Sequence, residues 1–175
     1  MKTLMILGAS VYQVPLIKTA KRMGLRVIVS SIPGNYPGFV YADKVYYTNT
    51  VDKESILEIA RSENIDGICT TGTDVAVITI GYVNEHMGLH GISEAAAVCA
   101  TDTALMKDAF AKASVSASTF VKVTSYEDAV HAANEIGLPV IVKCVDSSGN
   151  RGITKVNDVS ELKEAYDDEI GRAHV

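Results

Sequence analysis

Pro139-Val140-Ile141-Val142-Lys143-Cys144-Val145-Asp146-Ser147-Ser148-Gly149-Asn150-Arg151-Gly152-Ile153 decides how this chain is read. The β-branched apolar run predicts a strand that delivers Lys143 and then turns through a loop of small residues. An ammonium on such a strand is costly to bury unless an anion meets it, whereas beside a phosphate it gains a charge-assisted bond. Ser147 and Ser148 add hydroxyl donors. Gly149 and Gly152 let backbone N–H groups approach phosphate oxygens without an intervening Cβ, and Arg151 adds a second cation. The alternative for the same residues is a glycine-rich hairpin with a solvated lysine.

The chain of 175 residues, 47% hydrophobic and 21% charged, has room for one full domain and part of a second. Its net charge of −5 argues against a nucleic-acid or anionic-membrane surface, either of which needs a basic excess. Affinity for phosphate is therefore expected to be local. Cys69, Cys99 and Cys144 stand far apart, with no Cys-x-x-Cys spacing, and read as small core residues of a cytoplasmic protein. The apolar run Leu4–Leu7 is too short for a signal peptide or a membrane span.

The first hundred residues alternate short β-branched runs with helical stretches, which predicts an α/β domain of βαβ units around a parallel sheet. Strands are expected at Thr3–Leu7, Arg26–Ser30, Lys44–Tyr47 and Gly67–Thr70, with helices between them and a loop over 31–43 marked by Pro33, Gly34, Pro37 and Gly38. Asp52, Ser93 and Asp102 are candidate helix caps. Beyond residue 101 the order is helix, strand (Ser118–Val123), helix opened by Thr124 and Glu127, the Lys143 strand, the loop, a strand from Ile153 to Val156, and a helix opened by Asp158 and Glu161.

That order, with Lys143 preceding Ser147-Ser148-Gly149-Asn150-Arg151-Gly152, resembles the ATP-grasp superfamily, in which a lysine and a glycine-rich loop hold the ATP phosphates. Gly8-Ala9-Ser10 with Gln13 and Pro15–Ala20, then Tyr41–Lys44 and Ile65–Ile68, resemble the Rossmann-like domain that precedes the ATP-grasp core in carbamoyl-phosphate-synthase-like members. The resemblance implies a Rossmann-like pre-ATP-grasp domain over 1–100 and a partial α+β ATP-grasp first subdomain over 101–169. It also implies an ATP-dependent ligase that forms an acyl phosphate on a small-molecule carboxylate for attack by an amine. A carbamoyl-phosphate synthase or biotin-carboxylase-like enzyme is the alternative within that class. A non-catalytic ATP- or metabolite-sensing module is the alternative outside it, and an α/β domain that binds no nucleotide is a third reading. Mg2+ is expected with ATP. Its acidic ligands and the adenine pocket belong to a second subdomain of the family that these residues do not include, so this piece is expected to be inactive alone.

Other nucleotide motifs do not fit. Against G-x-G-x-x-G, the stretch Gly8-Ala9-Ser10-Val11-Tyr12-Gln13 keeps only the first glycine, and the second strand ends in Ser30-Ser31 with no acid for a ribose hydroxyl. No glycine is followed by Lys-Ser or Lys-Thr at P-loop spacing. The chain also departs from the ATP-grasp pattern, because Asp102-Thr103 stands where many members carry Asp-Lys. Lys107, one helical turn on, is the candidate replacement, and a solvated helix lysine is its alternative. Gly8, Ser10, Gln13 and Asp74 are candidate substrate contacts at the carboxyl ends of the strands, with helix capping the competing role for Asp74. Finally, Ile170–Val175 can be encoded by ATCGGAAGAGCACACGTC, which matches a widely used sequencing adapter. The natural reading frame is expected to continue beyond Glu169.

Overall fold

The computed structural model describes residues 1–145 and 152–172 of the chain, so Ser147, Ser148, Gly149 and Arg151 of the predicted loop lie outside the described residues. The chain divides into two compact units, Met1–Thr101 and Asp102–Val175.

In the first unit, β1 (Thr3–Leu7), β2 (Arg26–Ser31), β3 (Lys44–Tyr47) and β4 (Gly67–Cys69) form a parallel sheet in the order β3-β2-β1-β4. Side chains alternate across this sheet, and both faces are covered. Met5, Leu7 and Ile28 pack against Ile56, Leu57 and Ala60 of α2 (Lys53–Ser62) and against Ile80 and Val83 of α3 (Val77–Met87). Ile6, Val27 and Val29 face the other way, onto Ile17 and Ala20 of α1 (Val14–Arg22). Burial on both faces explains why β1 and β2 read as continuous apolar runs. Each of these fully buried side chains contributes roughly 1.5–3 kcal/mol. A further helix, α4 (Glu94–Thr101), closes the unit, with Ala96 N–H donating to Ser93 Oγ as the sequence suggests.

Local signals account for most boundaries. Pro15 lies in the first turn of α1, and Asp52 accepts from Ser55 N–H to start α2. Helix α3 starts later than expected, at Val77 and without any side-chain cap, so Asp74 is not the helix cap that its residue type suggests. Its backbone C=O, rather than its carboxylate, accepts from Val77 N–H at 3.0 Å.

In the second unit, β5 (Val140–Lys143) and β6 (Ile153–Val156) form an antiparallel pair, with Lys143 opposite Ile153 and Ile141 opposite Lys155. One face of the pair meets α6 (Tyr126–Ile136) and α7 (Leu162–Arg172) in a core of Val156, Ala129, Ala133, Leu162, Ala165 and Tyr166, joined by Val140 and Val142. Helix α5 (Thr103–Lys112) is capped by Asp102, and a capping box of Asp158 and Glu161 precedes α7. Two expectations are corrected. Ser125, not Thr124, caps α6 by accepting from Asp128 N–H. The expected strand over Ser118–Val123 is irregular: its first residues are exposed, Val123 alone of the segment joins the core of this unit, and no ladder among the described residues holds it extended. Among the described residues no helix is long and apolar enough to cross a membrane.

The first unit is pinned at one edge by Glu63, whose carboxylate accepts from Lys44, from Tyr46 Oη and from Arg26 Nη2 (2.6 Å). Those bonds hold its pKa down, to about 2. A depressed carboxylate adds stability above its unfolded pKa, and that contribution disappears as pH falls through the folded value. Wild type is therefore expected to melt above Glu63→Gln at neutral pH. The gap should narrow below about pH 4.5 and close near pH 2, as thermal unfolding across that range measures.

Candidate functional site

The carboxyl ends of the parallel strands in the first unit form a cleft of about 340 Å3, lined by Gly8, Ala9, Ser10 and Gln13 after β1, Ser31, Ile32 and Tyr36 after β2, Asn49 and Thr50 after β3, and Gly72, Thr73 and Val75 after β4. The strand order reverses between β1 and β4, which is where an open α/β sheet leaves room for a ligand. Gly8, Ser10 and Gln13 are thus brought together as expected. Asp74 is exposed and is not part of the lining.

Gln13 organises this turn. It is 2% exposed, and its Oε1 accepts from Ser10 N–H at 2.9 Å and from Ser10 Oγ at 2.6 Å, while its Nε2 donates to Thr71 C=O. One amide therefore ties the β1 turn to the loop after β4. Gly8 has φ of +93°, and a Cβ there would lie 3.0 Å from Gln13 Cδ, so both the backbone shape and the space require glycine. Gln13, which stands at the place of the third glycine of G-x-G-x-x-G, folds its side-chain amide back onto this turn.

In the second unit, Lys143 ends β5 on the uncovered face of the pair, alongside Ile141 (56% exposed), Ile153 (45% exposed) and Lys155. Neither lysine has an acidic partner among the described residues. Lys21, Lys44, Lys53 and Lys163, by contrast, are paired with Asp43, Glu63, Glu94 and Asp167. The face thus offers apolar surface flanked by two uncompensated cations, chemistry that suits a base and its phosphates. Thr103 N–H donates to Val145 C=O at 2.8 Å, which sets the start of α5 against the chain leaving β5. Lys107 does not turn toward that point. Its Nζ is held by Ser118 Oγ at 2.6 Å and by Ser118 C=O at 3.3 Å.

Gly152 begins the described chain after the loop, buried and with φ of +69°. The space that its Cβ would need is taken by the Glu169 carboxylate, itself 4% exposed and within 3.4 Å of Thr154 Oγ1. Cys144 Sγ donates to the Glu169 C=O at 3.0 Å. Sequence reading missed Glu169, since a glutamate late in an amphipathic helix carries no signal that it turns inward. It likewise missed Tyr36, Asn49 and Thr50, which line the cleft from loops with no motif. Among the described residues no group of three His, Cys, Asp or Glu side chains could hold a metal ion.

The family follows from the second unit. Residues 101–175 match the model described as the carbamoyl-phosphate synthase L chain, ATP binding domain. The chain belongs to the ATP-grasp superfamily, in its carbamoyl-phosphate-synthase-like branch. It is 30% identical over 143 residues to the alanine–anticapsin ligase of Bacillus subtilis (strain 168), covering 78% of this chain and 29% of that one. It is 26% identical over 166 residues to the formate-dependent phosphoribosylglycinamide formyltransferase of Prochlorococcus marinus (strain MIT 9313), covering 94% and 43%. The crystal structure of phosphoribosylglycinamide synthetase from Anaerococcus prevotii superimposes with a TM-score of 0.72 at 26% identity, over 99% of this chain and 43% of that one. N5-carboxyaminoimidazole synthetase from Staphylococcus aureus, complexed with ADP, shares the fold with a TM-score of 0.81 at 18% identity, over 95% and 44%. The chain spans less than half the length of each of these relatives.

Gln13→Ala should cost about 2–4 kcal/mol, because it opens a cavity and strips partners from Ser10 and Thr71. Gln13→Glu keeps the shape but loses the donor to Thr71. Urea unfolding of the three chains should rank them wild type, Glu, Ala; equal stability of all three would show that the amide clasp is not what holds the turn.

Proposed function

We propose that the chain is the amino-terminal part of an ATP-dependent ligase, with the first unit a pre-ATP-grasp domain on the substrate side and the second unit part of the nucleotide-binding subdomain. The observation that carries this is Lys143: an uncompensated ammonium at the end of β5, on an open face with Ile141, Ile153 and Lys155, inside the region that matches an ATP-binding family model. The two apolar side chains suit a base and the two ammonium groups suit phosphates.

In the intact enzyme Lys143 offsets negative charge on the ATP phosphates, which act as the phosphoryl donor. Ser147, Ser148, Gly149, Arg151 and Gly152 supply further donors by family resemblance. A carboxylate oxygen of a small-molecule acid attacks the γ-phosphorus, the bond to the β-phosphate oxygen breaks, and ADP leaves. An amine then attacks the acyl carbon, phosphate departs with the bonding electrons, and the amine loses a proton. Mg2+, when bound with ATP, neutralises phosphate charge; no residue described here is assigned to hold it. The alanine–anticapsin ligase supports an amino-acid-like acid and amine as the substrate class.

A second reading, a nucleotide-sensing module without turnover, is favoured by one observation. Thr103 lies against the chain leaving β5, where a family lysine would add a cation, and Lys107 is held elsewhere.

In the full-length gene product, Lys143→Gln should lower ADP release by about a hundredfold or more, with an unchanged far-UV circular dichroism spectrum. Lys107→Ala, at a lysine whose ammonium is hydrogen-bonded to Ser118, should cost far less. Wild-type turnover in Lys143→Gln would remove the ligase assignment, and tight ATP binding by the wild-type protein without turnover would select the sensor.

A further inference from the structure

We infer that the cleft of the first unit recognises the uncharged, hydroxyl-bearing part of a small metabolite and turns away phosphomonoesters. The inference rests on reading that cleft as the substrate side of the ligase. Two independent features of the cleft carry it.

The first is the chemistry of the lining. None of its side chains is charged: the polar groups are the hydroxyls of Ser10, Ser31, Thr50 and Thr73, the amides of Asn49 and Gln13, and the phenol of Tyr36. A phosphate dianion leaving water needs charge-assisted bonds to replace its hydration, and this lining supplies no counter-charge. The charge that adjoins the cleft in sequence is Asp74, between the lining residues Thr73 and Val75, and its sign is repulsive. Hydroxyls and amides both donate and accept, which matches ligand groups that do the same. A volume of about 340 Å3 accommodates a pentose-sized group.

The second is the state of the backbone donors. A glycine turn at the end of a strand can bind phosphate without any cation when its N–H groups converge on the anion. Here four of the six N–H groups from Gly8 to Gln13 are already committed. Gly8 N–H donates to Ser30 C=O at 2.8 Å, Ser10 N–H to Gln13 Oε1 at 2.9 Å, Tyr12 N–H to Ser10 Oγ at 3.3 Å, and Gln13 N–H to Ser10 C=O at 3.1 Å. Gln13 thus takes the place of an anion in the turn, with its own Oε1 as the acceptor.

The test is a pair of titrations of the 175-residue chain, followed by amide chemical shifts, with D-ribose and with ribose 5-phosphate. D-Ribose should move the amides of Gly8, Ser10, Gly72 and Thr73, and ribose 5-phosphate should bind at least about tenfold more weakly. Thr50→Lys, or Asn49→Lys on a more exposed side chain, should restore ribose 5-phosphate binding by placing a cation at the rim. No response to D-ribose, equal or tighter binding of ribose 5-phosphate, or no gain in either lysine variant that keeps the wild-type spectrum would overturn the proposal. ATP added to the same sample reports separately through the amides of Val140–Lys143 and Ile153–Val156. The nucleotide reading and the cleft reading therefore stand or fall on different resonances.

Discussion

Strand β1 is paired on both edges and buried on both faces, and this constraint shapes everything at the carboxyl end of the sheet. A chain leaving such a strand must satisfy within one turn the polar groups that it buries. Gln13 does this with a single side chain, accepting from both the backbone and the hydroxyl of Ser10 and donating across to Thr71. The glutamine is therefore a keystone of the fold before it is a contact for any ligand. Its acceptor occupies the Ser10 N–H, and the cleft beside it is lined by neutral side chains.

The Glu63 cluster plays a comparable part at the opposite end of the strands. Arg26 enters β2, Lys44 enters β3, and Glu63 closes α2, so one carboxylate joins three elements at the point where the sheet begins. Three donors on one half-buried acid give a geometry that isolated surface ion pairs lack, which is why its proton affinity moves much further than that of Asp43, held mainly by Lys21. The amino end of the sheet is fixed by charge and the carboxyl end by neutral hydrogen bonds. The cleft described above lies at the carboxyl end.

Much of this was legible in the sequence, for identifiable reasons. Apolar runs such as Leu4–Leu7 and Val27–Val29 announce strands buried on both faces, and Asp52, Ser93, Asp102 and Asp158 announce helix starts because their side chains compete for the first free N–H groups. Signals that depend on a distant partner were not legible. Ser118–Val123 has strand-forming residues but no ladder to join. Asp74 has a capping side chain, yet the helix begins two residues after Val75, beyond its reach. Lys107 reads as a phosphate ligand by its spacing from Thr103, yet Ser118, eleven residues later, is what it meets. In the cleft, Tyr36, Asn49 and Thr50 come from separate loops and converge only because β2 and β3 lie side by side.

The distribution of charge links the two units without reference to their arrangement. In a chain of net charge −5, four lysines in the described structure are neutralised by acids, and each of those pairs joins elements or successive helical turns. Lys143 and Lys155 are exceptions with a common setting, since both stand on the uncovered face of β5 and β6 beside exposed isoleucines. The exposed isoleucines are what make this face costly in solubility unless something covers it. The first unit thus has a cleft lined by neutral groups, and the second an open strand face on which Lys143 and Lys155 stand without acidic partners among the described residues.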